Sequence, residues 1–207
     1  MKCVEWFFDF VSPFSYLQFE RIADVERLGK VTLTPVVLAG ILKHWGQKGP
    51  AEIPAKRRFT YRFIQWQAEQ LGIALKFPPS HPFNPIKALR LAIVAGCSVT
   101  AVRTIFSHIW HDGRSLDDES AWNQLCWSVG VRDPNAINDV AIKDALKWNG
   151  QRAIDGKVFG VPAFVVDREI FWGLDSTDML IDYLSEPQRF ARGEFARVLD
   201  LPVAVRS

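Results

Sequence analysis

The stretch Trp6-Phe7-Phe8-Asp9-Phe10-Val11-Ser12-Pro13-Phe14-Ser15-Tyr16-Leu17 leaves the chain little choice: a buried strand must become a helix within two residues. Phe7, Phe8, Phe10 and Val11 are the aromatic and β-branched types that pack well on a pleated surface. Ser12 stands where a helix N-cap belongs. Pro13 stands where the first helical residue belongs, since proline has no N–H to lose there. Tyr16, Leu17, Phe19 and Glu20 continue with helical spacing. A hydroxyl is thus placed at a strand-to-helix corner, where free backbone N–H groups and the positive end of the helix dipole favour an anion. Taken locally, the pattern is satisfied by a helix cap alone; an anion-binding role needs further support.

The first helix is predicted from Pro13 to about Leu28, stopped by Gly29, and a strand follows over Val31 to Val37. Pro35 assigns that strand to a sheet edge or to a strand end. Strand, helix and strand at this spacing make a βαβ unit with parallel strands and a right-handed crossover. From Leu38 to about Ala153 the pattern is helical throughout. One helix is bounded by Pro54 and Gly72, and others start at Asn84-Pro85, Ser98, Asp117-Asp118 and Asp133-Pro134. Strand signals return at Val158 to Val166, then a short turn at Asp167-Arg168 and a partner strand at Glu169 to Trp172. A helix follows from Thr177 to about Leu184, and a last one is predicted over Pro187 to Val198. This order defines an α/β, thioredoxin-like fold with a large all-helical insertion. The frame is discontinuous, residues 1–37 and 154–207, and the inserted helical domain covers residues 38–153.

Composition removes several functions. A net charge of +2 over 207 residues argues against a nucleic acid as main partner. No apolar run is long enough to span a bilayer, and Met1-Lys2-Cys3-Val4 runs straight into the first strand without a leader pattern. Cys3, Cys97 and Cys126 are odd in number and far apart, which reads as three buried, reduced thiols in a reducing compartment. His108 and His111 lie three apart on one helix, but no further ligand completes a set, so no metal is expected.

In thioredoxin-like proteins the strand-to-helix corner carries Cys-x-x-Cys; here Ser12 and Ser15 hold both positions. Disulfide exchange at this corner is excluded for want of sulfur, and what remains is a seat for a thiolate brought by another molecule. Gly160-Val161-Pro162 precedes a strand, where a cis Val161-Pro162 bond would present the Val161 backbone to a bound peptide as an extra strand. Gly173-Leu174-Asp175-Ser176 opens a helix, which suits a carboxylate at its N–H groups and an ammonium at Asp175, although capping alone accounts for these residues. Lys56, Arg57, Arg58 and Arg62 form a basic run. His81, Phe83 and Asn84 sit in a proline-rich loop, with Asn84 first of all a helix cap. Trp66 and Trp172 are core residues by default and pocket residues by alternative.

Three separate stretches, Trp6 to Leu17, Phe159 to Val166 and Phe171 to Leu180, together resemble the 2-hydroxychromene-2-carboxylate isomerase family, which is related to the kappa-class glutathione transferases. Leu38-Ala39, Gln65-Trp66, Leu71-Gly72-Ile73 and the loop from Phe77-Pro78 to Asn84 extend the resemblance over most of the chain. The resemblance implies a glutathione-dependent, cytoplasmic, dimeric isomerase acting on a small aromatic carboxylate. Ser12 would stabilise the glutathione thiolate, and Val161, Leu174, Asp175 and Ser176 would hold the rest of the tripeptide. Lys43, Phe83 and Asn84 would line the substrate side. A transferase of kappa type and a non-catalytic peptide-binding module are the alternatives. The chain departs from the family over Gly49 to Arg58, where an Asn-containing segment is replaced by one without Asn.

Overall fold

The computed structural model describes residues 1–202. Strand β1 (Lys2–Phe8) leads into helices α1 (Pro13–Phe19) and α2 (Ile22–Glu26), then strand β2 (Gly29–Pro35). Helices α3 (Leu38–His44), α4 (Pro54–Leu71), α5 (Ile86–Val94), α6 (Val99–Phe106), α7 (Glu119–Ser128) and α8 (Val140–Asp155) follow. Strands β3 (Ala163–Val166) and β4 (Glu169–Trp172) and helices α9 (Thr177–Ser185), α10 (Pro187–Phe190) and α11 (Gly193–Arg197) complete the chain. The four strands form one sheet in the order β2-β1-β3-β4. β1 and β2 are parallel, with Trp6 opposite Leu33, and β3 runs antiparallel to both β1 and β4. This is the thioredoxin-like arrangement expected from the element order. The β3–β4 turn has Asp167 and Arg168 both at positive φ (54° and 72°), as a two-residue hairpin turn requires.

Four expectations need correction. The single helix from Pro13 to Leu28 is two helices. The Arg21 N–H bonds the Gln18 carbonyl at 2.9 Å, three residues back, and the tightened turn re-aims Ile22 and Val25 into the core. The last helix is likewise broken: Arg192 is extended and Gly193 lies at φ 61°. β2 starts at Gly29 and ends at Pro35, earlier than predicted at both ends, and it is an edge strand as Pro35 indicated. Cys3 is exposed, because alternation along β1 turns it to solvent before the strand enters the core; Cys126 is buried and Cys97 is intermediate.

Both faces of the sheet are covered. Trp6 stacks on Phe8 (centroids 4.6 Å apart), and Phe8 meets Phe10 edge-on at 5.3 Å. Phe106, at the end of α6, sits within 6.3 Å of Trp6, Phe8, Phe10, Tyr16 and Phe19. One hydrophobic cluster therefore runs from β1 through α5 and α6 of the helical block. On the opposite face Phe7 packs with Val36, Ile41, Ala153, Val158 and Val161. No helix among the described residues is long and apolar enough to cross a membrane.

Candidate active site

Ser12 caps α1 with its backbone in the extended region, and its Oγ accepts from the Ser15 N–H at 3.2 Å. The capping reading is therefore correct, and it uses the hydroxyl only as an acceptor. Among the described residues the Ser12 O–H proton has no acceptor, so it is free to be donated to an anion. Ser15 is fully buried, and its Oγ has no partner among the described residues.

The loop that carries Ser12 is held from three sides. Asp9 is completely buried; its Oδ1 accepts from Val11 N at 3.0 Å and its Oδ2 from Leu38 N at 2.8 Å, which ties the corner to the start of α3. The Val11 carbonyl meets His81 Nε2 at 2.8 Å, and the Phe10 carbonyl accepts from Trp110 Nε1 at 2.8 Å. Since a carbonyl can only accept, His81 carries its proton on Nε2, and the Tyr61 hydroxyl, 2.6 Å from Nδ1 and 2.9 Å from the His81 carbonyl, shares its one proton between these two acceptors. Burial lowers the His81 pKa, consistent with this neutral ring.

Burial raises the Asp9 carboxyl to about 7; its two N–H donors hold it down only in part. A folded value above the unfolded one means that the native state binds the extra proton between about pH 4 and 7. Stability contributed by Asp9 should therefore fall as pH rises through that window, by at most about 1.4 kcal/mol per pH unit, and level off above it. Asp9→Asn has no such dependence. Urea unfolding of both proteins across this range is expected to show wild type losing ground to Asp9→Asn as pH rises, by on the order of 2–4 kcal/mol in total. The opposite trend would show that the two N–H groups outweigh burial.

The Val161-Pro162 bond is cis, as expected, and so is His81-Pro82. Gly173 N donates to the Pro162 carbonyl at 2.9 Å, whereas neither N–H nor C=O of Val161 has a backbone partner among the described residues. Gly160 lies against the Trp172 indole, where an added Cβ would come within 2.6 Å of Nε1. Gly173 adopts φ 90°, ψ 161°, a region open essentially to glycine, and Leu174–Ser176 form a single turn of 3₁₀-helix ahead of α9. Leu174 is buried, Asp175 exposed, and the Ser176 Oγ donates to the Gly173 carbonyl at 2.9 Å.

Gln18 joins this turn to the Ser12 helix. It is fully buried, its Nε2 donates to Gly173 O (2.8 Å) and to Thr177 Oγ1 (3.0 Å), and its Oε1 accepts from Trp6 Nε1 (2.7 Å). Sequence reasoning passed over Asp9 and Gln18. The available signal was a polar residue between apolar neighbours: Asp9 between Phe8 and Phe10, Gln18 between Leu17 and Phe19.

The remaining candidates lie further out. Lys43 is exposed in the last turn of α3. Asn84 is exposed and its Oδ1 accepts from Ile86 N at 3.1 Å, but the N-cap position of α5 is Pro85 rather than Asn84, because the helix starts one residue later than read. Phe83 and Asn84 line a cavity of about 110 Å³ together with Pro78, Ile109, Arg114 and Leu116, all from the helical block. It is His81 that reaches the Ser12 loop. His111 pairs with Asp112 at 2.8 Å, and among the described residues no three His, Cys, Asp or Glu side chains gather as a metal site. Burial pushes the Cys97 thiol up to about 11 and raises Cys126, so neither is a ready nucleophile at neutral pH.

Residues 3–185 match the family described as the DSBA-like thioredoxin domain, and the chain belongs to it. Within that class the similarity is to 2-hydroxychromene-2-carboxylate isomerases. The one from Pseudomonas sp. (strain C18) is 30% identical over 186 residues, covering 86% of this chain and 87% of its own. Glutathione s-transferase kappa 2 of Caenorhabditis elegans is 23% identical over 209 residues, covering 90% and 93%. A solved 2-hydroxychromene-2-carboxylate isomerase superposes with a TM-score of 0.80 at 24% identity, over 97% of this chain and all of that one.

Proposed function

We propose that this chain is a glutathione-dependent isomerase of the 2-hydroxychromene-2-carboxylate type. The observation that carries the reading is the Ser12 hydroxyl: it caps α1 through its oxygen and keeps its proton for a thiolate, at a corner without sulfur of its own. Relatives named as isomerases of this type and as kappa glutathione transferases support the class.

The residues present fit the tripeptide. Val161 offers an unpaired N–H and C=O in the manner of a strand edge. At the turn from Leu174 to Ser176 the Leu174 and Asp175 N–H groups have no backbone partner among the described residues and would meet a carboxylate, the Ser176 N–H being spent on Gly173 O at 3.3 Å, and the exposed Asp175 offers an anion to an ammonium. Bound there, glutathione would supply a thiolate that adds reversibly to a conjugated carbon of the substrate and leaves again once the bond has turned. Ser12 would donate its proton in a hydrogen bond to the sulfur anion, which lowers the thiol pKa and keeps the nucleophile ionised. Gln18 would fix the distance between Ser12 and the Gly173 turn, and Lys43, Phe83 and Asn84 would face the substrate. In this reading the discontinuous frame (1–37 and 154–207) holds glutathione and the inserted helices (38–153) serve the substrate, in a cytoplasmic homodimer.

The test is to incubate the protein with glutathione and 2-hydroxychromene-2-carboxylate. Formation of the ring-opened benzylidenepyruvate should be followed by absorbance, with free thiol titrated at the end. Isomer formation with glutathione fully recovered is expected. A stable thioether would instead make the protein a transferase of kappa type, and binding of peptides without affinity for glutathione would make it a non-catalytic module.

A further inference from the structure

Ser12 hangs from a peptide unit that is held at both ends. The N–H of the Val11–Ser12 unit donates to the Asp9 carbonyl at 3.0 Å, within the corner itself. The carbonyl of the same unit accepts from His81 Nε2 at 2.8 Å, out of the loop between α4 and α5 and 70 residues away in sequence. Among the described residues this carbonyl has no other partner. A peptide unit is rigid and planar, so turning it changes φ of Ser12, which stands at −91°, and with it the base from which the hydroxyl projects. His81 is the remote side chain that keeps the unit from turning.

The ring that does this is itself fixed. Tyr61, Phe77, Phe83 and Trp110 all meet it edge-on, at 66° to 79° and with centroids 5.3 to 6.2 Å apart. The Tyr61 hydroxyl occupies Nδ1 at 2.6 Å, and the proton on Nε2 is spent on Val11. With both nitrogens engaged, the ring has neither a free proton nor a free lone pair to offer a bound molecule. What it supplies to the corner is one donor at one point in space.

We propose that His81 is a positioning residue for Ser12: its Nε2–H holds the Val11–Ser12 peptide unit at the angle from which the Ser12 hydroxyl meets a sulfur anion. The effect on the thiol rests on the glutathione reading; the hold on the peptide unit does not. A glutamine at this position places an amide N–H as many bonds from Cβ as Nε2, whereas asparagine stops one bond short, level with Nδ1. The two variants carry the same amide and differ in whether it reaches Val11.

The experiment compares wild type, His81→Gln and His81→Asn as the full chain. Nitrogen NMR of the histidine rings, with His81 assigned by the signals that His81→Gln lacks, is expected to show a neutral wild-type ring with its proton on Nε2. Hydrogen exchange at the Ser12 amide, measured without glutathione, should quicken about three- to tenfold in His81→Asn and stay within about twofold of wild type in His81→Gln. With glutathione bound, His81→Asn should raise the thiol pKa by about half to one unit and lower kcat for isomerisation about three- to tenfold. The Kd for glutathione should change by less than about twofold, and His81→Gln should restore both thiol pKa and kcat. A wild-type proton on Nδ1 overturns the proposal, and that result does not depend on any variant folding. So does a Ser12 exchange rate or a thiol pKa that is unchanged in His81→Asn, or one that is altered equally in both variants, which would make His81 a prop for its own loop. If wild type binds no glutathione, the isomerase reading falls, and Ser12 exchange in the two variants alone decides whether His81 holds the peptide unit.

Discussion

Ser12→Gly should raise the thiol pKa of protein-bound glutathione by about one to two units and slow turnover roughly ten- to a hundredfold. The lost interaction is a hydrogen bond to an anion, worth about 1.5–3 kcal/mol, and 1.36 kcal/mol corresponds to one pKa unit and to a factor of ten in rate. Glycine is the informative replacement. The Ser12 oxygen also accepts from Ser15 N, so alanine would lose about 0.5–2 kcal/mol of capping, whereas glycine loses only a few tenths. Binding of glutathione itself should weaken less, since Val161 and the turn at Leu174 do not depend on the hydroxyl. The measurement is thiolate absorbance against pH for bound glutathione in both proteins. If the two curves coincide, Ser12 is a cap and nothing more.

Gln18→Leu should cost about 2–3 kcal/mol of stability, and the partners show where the cost arises. Gly173 O keeps the Ser176 hydroxyl, and Thr177 Oγ1 keeps its bond to Leu174 O at 2.6 Å. The Trp6 indole N–H keeps nothing; it is fully buried, with Gln18 as its acceptor. One stranded donor, at about 1–3 kcal/mol, thus dominates the loss, and the midpoint of thermal unfolding should drop by about 4–12 °C. Trp6→Phe removes the donor, so the double variant Trp6→Phe with Gln18→Leu should be less damaged than the sum of the two. A loss below about 0.5 kcal/mol for Gln18→Leu, the range of ordinary surface changes, would show that water replaces the amide.

The parts legible in the sequence were those whose cause is local. Pro54 and Gly72 bound α4 as read, because a missing N–H and a left-handed cap act on their own segment. Ser12 with Pro13 marked the corner for the same reason. Asp9, Gln18 and the part played by His81 were not legible, because each answers a group far away in sequence. Asp9 serves Leu38 N, Gln18 serves Gly173 O and His81 serves Val11 O. Each of these partners is a backbone group, which every residue carries, so no residue type in the sequence records the pairing. The split of α1 from α2 is local, an Arg21 N–H bond to the Gln18 carbonyl three residues back, but it too joins two backbone groups that no residue type marks.

Where those distant groups come from has a consequence for how the molecule comes apart. The carbonyls of Phe10 and Val11, just ahead of Ser12, are closed by Trp110 and His81; Asp9 is closed by Leu38, and the Tyr16 hydroxyl by the Ala74 carbonyl. All four partners lie between residues 38 and 110, two of them (Ala74 and His81) in the loop between α4 and α5, and Phe106 of the same stretch fills the centre of the aromatic cluster on β1. Losing the insertion would uncover the polar groups of the corner and hollow out its support in one event. The frame and the helical block, separable on paper at residues 37 and 153, thus form one cooperative unfolding unit at this point. The amides of Val11, Ser12, Ser15 and Tyr16 would exchange with solvent only when the segments that carry Leu38, His81 and Trp110 also open.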